Sequence, residues 1–100
     1  MLMKKILEDG KLTFILNGRL DSTTTQFFED NLVKGFQESP NVVLNCNALE
    51  YISSAGLRIL LKIHKIIHPN NYQLTLTKVN AGVLDVLEMT GFIDMLTIEK

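Results

Sequence analysis

Apolar and polar positions change period along this chain, and the changes mark its elements. Lys5-Ile6-Leu7 and Leu12-Thr13-Phe14-Ile15-Leu16 read as two short strands. Asp9-Gly10 lies between them, and Asp-Gly between apolar runs predicts a tight hairpin, because such a turn needs positive φ. A turn is expected where the second strand reaches Asn17-Gly18. Thr23 and Gln26 have the spacing of a capping box, with Asp21 or Ser22 as competing caps. The helix that follows repeats Phe28, Leu32 and Phe36 at intervals of four, widened by Phe27 and Val33, while Glu29, Asp30 and Lys34 face away. It should stop by Ser39, since Pro40 holds the preceding residue to extended geometry.

Residues 42–46 form an apolar run broken only by Asn45, which predicts a central strand buried on both faces. Two serines, Ser53 and Ser54, then precede a helix expected over residues 55–68 and ended by Pro69. Ser54 is placed to be its N-cap, its hydroxyl accepting from a free N–H of the first turn. That helix is apolar around most of its circumference, leaving Arg58, Lys62 and Lys65 as a polar ridge. Residues 72–77 alternate with period two, as a strand does. Asn80 can cap a helix carrying Val83, Leu84, Val86 and Leu87. Gly91 suits the left-handed C′ position, with Phe92 packing back. Leu96-Thr97-Ile98 reads as a short closing strand.

The predicted order is β-β-α-β-α-β-α-β. After the hairpin, strands and helices alternate, so the fold class is α/β with a mostly parallel, mixed sheet and right-handed crossovers. Ligand sites in such sheets lie beyond the C-terminal ends of the strands. Residues 17–22, 45–54 and 78–80 would meet there as loops.

Composition narrows the function classes. One hundred residues fit a single domain, residues 1–100, and 46% hydrophobic residues suffice for a core. A net charge of −1 offers no general attraction to nucleic acid or anionic membrane. No apolar run approaches the ~18 residues of a membrane span. The single cysteine, Cys46, excludes an internal disulfide and a CxxC motif. Cytoplasmic localisation is expected, without membrane insertion or direct nucleic-acid binding.

The edge loops hold little that could catalyse. His64 stands ten residues beyond Ser54 on the same helix, about 15 Å away at 1.5 Å per residue. A local Ser–His pair is therefore excluded. His64 and His68 have i, i+4 metal spacing, but no third ligand is evident, so no metal site is assigned. Neither a Walker A pattern nor GxGxxG after a strand is present. A phosphorylated-aspartate receiver would need an aspartate where Asn45 and Asn47 stand.

Ser54 keeps two meanings on this reading: a helix cap, or a hydroxyl that receives phosphate at the positive end of a helix. The segment Tyr51-Ile52-Ser53-Ser54-Ala55-Gly56-Leu57-Arg58 resembles the signature of the anti-sigma factor antagonist family, the bacterial members of the STAS domain class. Leu16-Asn17-Gly18-Arg19-Leu20-Asp21-Ser22 resembles the family's Gly-x-Leu-Asp segment. Leu87-Glu88-Met89-Thr90-Gly91-Phe92 resembles its late Leu-x-x-x-Gly-Phe segment. These segments fall in the family's order over nearly the whole chain.

The resemblance implies a non-enzymatic, cofactor-free switch in transcription regulation. Its unphosphorylated form binds an anti-sigma factor that is also a serine kinase. Phosphorylation releases that partner, and a PP2C-type phosphatase resets the switch. Ser54, before Ala55-Gly56-Leu57, is the implied phosphate acceptor. The partner surface would combine Asp21, Ser22, Ser53, Ser54, Gly56, Arg58 and Lys62. Two positions depart from the family: Ser53 and Asn45 stand where aspartate is frequent. The alternative is a STAS adaptor subunit of a signalling or transporter-associated complex, acting without phosphorylation. A small-ligand or nucleotide-binding domain ranks behind both.

Overall fold

The computed structural model describes residues 1–99. In chain order the elements are β1 (Leu2–Glu8), β2 (Lys11–Leu20), α1 (Thr25–Glu38), β3 (Asn41–Ile52), α2 (Ser54–Ile67), β4 (Gln73–Thr77), α3 (Ala81–Met89), a 3₁₀ turn (Phe92–Asp94) and β5 (Thr97–Glu99). The five strands lie side by side in sequence order. β1 runs antiparallel to β2, and every later pairing is parallel. The predicted element order is the one observed.

Local chemistry accounts for the punctuation. Asp9 and Gly10 both take positive φ, 52° and 74°, as a two-residue hairpin turn requires. Asn80 caps α3, its Oδ1 accepting from Val83 N at 2.9 Å, while its Nδ2 donates to Leu49 O at 2.7 Å. That second bond ties the start of α3 to β3. Gly91, at φ 78°, takes the left-handed position after α3. α1 begins later than its capping box predicts. Thr24 is the N-cap without a side-chain cap bond, because its Oγ1 donates to Arg19 O at 2.8 Å and accepts from Asp21 N at 3.0 Å. The end of β2 has taken the hydroxyl that would have capped the helix.

The sheet buries one face. Leu12, Phe14, Leu16 and Leu20 of β2, Val42, Leu44 and Cys46 of β3, and Leu74 and Leu76 of β4 pack with Phe28, Leu32, Leu60, Ile63, Val83 and Leu87 of the helices. Thr13, Ile15, Val43, Asn45, Thr75 and Thr77 on the other face are only half-buried. β3 therefore departs from the prediction of a strand buried on both sides. From β2 to β5 each strand is added on the same side of the last, so right-handed crossovers put the helices on one face.

Two strands outrun their expected ends. β2 does not turn at Asn17-Gly18 but continues to Leu20, passing Gly18 at φ 120°. β3 continues through Asn47 to Ile52 beside it. Their parallel pairing carries both strands to the edge where α2 begins, and most of the two expected loops becomes sheet.

Candidate functional site

The site is built where β2 and β3 end together. Ser53 N donates to Leu20 O at 2.9 Å, pinning the turn after β3 to the end of β2. Ser53, with extended backbone, caps α2: its Oγ accepts from Gly56 N at 3.2 Å. This corrects the expectation that Ser54 is the cap. Ser54 is the first residue of α2 and is exposed. The reason is the pin to Leu20, which sets the extended residue at 53 and leaves 54 already helical. Capping and exposure thus fall on different serines. Replacing Ser53 by alanine should cost about 1 kcal/mol of stability, the usual value of a lost serine cap. Urea unfolding of the variant measures it, and an unchanged midpoint would contradict the assigned cap.

Gly56 sits in the first turn of α2 against the end of β2. A Cβ there would stand 2.7 Å from Leu20 O and 2.9 Å from Ile52 Cγ1. Only glycine allows the helix so close to the strand. Arg58 lies one turn from Ser54 on the same side of α2 and is exposed. α2 has no acidic residue in its first turn, so its positive end is uncompensated.

Asp21 faces this edge, and its carboxylate serves the loop. Oδ1 accepts from Thr23 Oγ1 at 2.6 Å and from Thr23 N at 2.9 Å. Those two hydrogen bonds hold its pKa below the usual carboxylate value, with a smaller contribution from Arg19. Ser22 is exposed beside it. Lys62 is engaged within the domain. Its Nζ meets Glu29 Oε2 at 2.6 Å, joining α2 to α1 over a carboxylate only 13% exposed. The structure therefore gathers Asp21, Ser22, Ser53, Ser54, Gly56 and Arg58 around the start of α2, and sets Lys62 further along against α1.

The two departures from the family signature have different geometries. Ser53 occupies the cap, a position that serine and aspartate fill about equally well. Asn45 lies within β3 on the uncovered face, its Oδ1 accepting from Asn47 N at 3.0 Å.

Elsewhere the candidate groups serve other ends. Burial pushes the Cys46 thiol up to about 12, which keeps it protonated and unreactive. His64 and His68 meet edge to face, 5.0 Å between ring centroids, at the far end of α2. They line a groove of about 440 Å³ with Tyr72 and Met95. Among the described residues no group of three or more His, Cys, Asp or Glu could hold a metal ion, and no helix is long and apolar enough to cross a membrane.

Comparison with known proteins matches the STAS domain model over residues 3–100. The chain belongs to the STAS domain family. BtrV of Bordetella bronchiseptica, provisionally named an anti-sigma factor antagonist, is 33% identical over 88 residues, covering 87% of this STAS chain and 76% of BtrV. Among solved structures, a provisionally named anti-sigma factor antagonist of Thermotoga maritima superposes with a TM-score of 0.85 at 20% identity, over 98% of this chain and 86% of that one. The anti-sigma factor antagonist SpoIIAA in its unphosphorylated form gives 0.73 at 13% identity, over 99% and 88%. At such identities the two structures speak for the STAS fold alone, and they share its mixed sheet and helix order.

Two residues of this edge were not among the candidates read from the sequence. Arg19 and Tyr51 are paired in register across β2 and β3, and the Arg19 guanidinium lies over the Tyr51 ring, 4.4 Å from its centroid. Both occur in the motif segments, but their pairing depends on strand register.

Proposed function

We propose that this STAS domain is an anti-sigma factor antagonist switched by phosphorylation of Ser54. The observation that carries the reading is the division of labour between the serines. Ser53 holds the cap of α2, and Ser54 is exposed at the positive end of the same helix. A free hydroxyl on a rigid helix start, with no base beside it to make it a nucleophile on its own account, suits a substrate of another enzyme better than a catalyst. The BtrV likeness supports the function class. SpoIIAA, which shares the fold, has a structure in a phosphorylated form.

In this reading the unmodified edge of Asp21, Ser22, Ser54 and Arg58 docks on a cytoplasmic anti-sigma factor that is also the kinase. Phosphate on Ser54 releases the partner, and a PP2C-type phosphatase removes it. The test is titration of the purified anti-sigma factor from the same genome with Ser54→Ala and Ser54→Asp proteins. Alanine should bind within about twofold of the wild type and aspartate at least about tenfold more weakly, since a buried unpaired charge is heavily penalised. Equal binding by both would displace this reading in favour of an adaptor that works without phosphorylation.

A further inference from the structure

The ends of β2 and β3 carry a feature that the Ser54 switch does not require. Two register shifts interrupt the pairing of β2 with β3. At the second, Gly18 pairs with Leu49 while Arg19 pairs with Tyr51, so Glu50 is an extra residue on β3. Such a bulge re-aims the side chains that follow it. Here it sets Arg19 opposite Tyr51, immediately before the buried pair Leu20 and Ile52. Tyr51 is 42% exposed, and the Arg19 side chain is 57% exposed. The stack thus stands on the surface, three residues before Ser54.

The stacked guanidinium is held but not satisfied. Its Nε is 3.8 Å from Asp21 Oδ2, beyond hydrogen-bonding range. Asp21 orients it by charge and spends its own hydrogen-bonding capacity on Thr23. The N–H fork of Arg19 is left for water or a partner. Arg58, unlike Arg19, has no carboxylate within ion-pair distance among the described residues. Arg19 and Arg58 are thus accessible cations of this edge, beside the exposed carboxylate of Glu50, and the start of α2 adds to the positive charge there. Arginine and tyrosine are, with tryptophan, the residue types enriched among the residues that dominate protein interfaces. An arginine already flattened on a ring loses little conformational freedom when it engages a carboxylate.

We propose that the Arg19–Tyr51 stack is the anchor of the partner interface and that its guanidinium takes up a carboxylate on the docked protein. This rests on the antagonist reading, and it gives the switch a cause: phosphate on Ser54 would face an acidic partner surface and compete with it for the arginines.

The test is titration of the purified anti-sigma factor with wild-type protein, Arg19→Ala, Arg19→Lys, Tyr51→Ala, Tyr51→Phe and Arg19→Ala/Tyr51→Ala, with Ser54→Asp as a reference. Thermal melts check that each variant is folded. Arg19→Ala and Tyr51→Ala should each weaken binding at least about tenfold, as interface anchors do. The double variant should lose little more than either single one, because the two side chains act as one unit. Lysine should fail to restore binding, lacking the planar fork, and Tyr51→Phe should bind within about twofold, since the ring remains. Binding within about twofold by Arg19→Ala and Tyr51→Ala, with Ser54→Asp still defective, would overturn the anchor and leave the switch standing. Full rescue by lysine would also overturn the stacked anchor. Loss in the stack variants with normal binding by Ser54→Asp would support the anchor and remove the switch. A wild-type protein that does not bind the anti-sigma factor would overturn both.

Discussion

Replacing Gly56 with valine is expected to cost about 3 kcal/mol of stability, the upper end of the usual cost of overpacking, and to abolish partner binding. The added Cβ would lie 2.7 Å from Leu20 O, 2.9 Å from Ile52 Cγ1 and 3.0 Å from Leu20 Cγ. The nearest atom is a backbone carbonyl, which cannot turn aside like a side-chain tip. It also accepts the bond from Ser53 N at 2.9 Å, so moving it breaks the pin that starts α2. The helix must lift from β2, and the site opens with it. Valine gains little helix propensity over glycine to offset this. At roughly 4–8 °C per kcal/mol for a domain of this size, the melting temperature should fall by roughly 12–24 °C. Gly82→Ala is the control. Its Cβ would meet only Asn80 Oδ1, at an ordinary 3.5 Å, so that variant should be neutral or up to about 1 kcal/mol more stable. Equal melting temperatures for Gly56→Val and wild type would refute the close approach of α2 to β2.

Phosphorylating Ser54 should weaken partner binding about 100-fold or more while moving the melting temperature by only a few degrees. The two halves of that expectation have separate causes. Phosphate adds about 1.5–2 negative charges at a helix end that favours anions and has no acidic residue in its first turn. The cap is undisturbed, because Ser53 and not Ser54 accepts from Gly56 N. Arg58, one turn along, can meet the phosphate as an i, i+4 partner. Inside the domain the modification is therefore tolerated. At the interface the same group is a bulky dianion that must be desolvated against the partner, a cost of about 2–5 kcal/mol when a buried charge is left unpaired. Calorimetric titration, circular dichroism and a thermal melt on stoichiometrically phosphorylated protein measure both halves. A large loss of helix would show that release works by unfolding the domain instead.

Residues with a local physical signature were readable from the chain. Asp9-Gly10, Asn80 and Gly91 act where short-range chemistry places them, because turns and caps need only a few neighbouring residues. The apolar periods of α1, α2 and α3 marked the centres of their buried sides for the same reason. In α1, however, Phe27 and Val33, expected to widen the buried stripe, are exposed, and Glu29, expected to face away, is covered against Lys62 of α2. The other expectations that failed were those a distant strand could override. The cap expected at Thr23 moved to Thr24, whose hydroxyl is bound to Arg19 O and Asp21 N instead of capping the helix. Gly18 became part of a strand because β3 runs beside it. β3 kept one half-open face because the crossovers share a direction.

Ser53 and Ser54 divide along the same line. The order of residues was enough for the succession of elements, the single α/β domain, the serine pair at the junction of strand and helix, and the motif segments that identify the STAS family. It took the folded arrangement to show which serine caps, that Lys62 is tied to Glu29, and that Arg19 lies on Tyr51. Periodicity and capping are set by residues a few positions apart, so they are written along the chain. Register across β2 and β3, and the pin from Ser53 to Leu20, join residues some thirty positions apart. Their outcome depends on how whole strands align when the core closes, and a local pattern does not contain it.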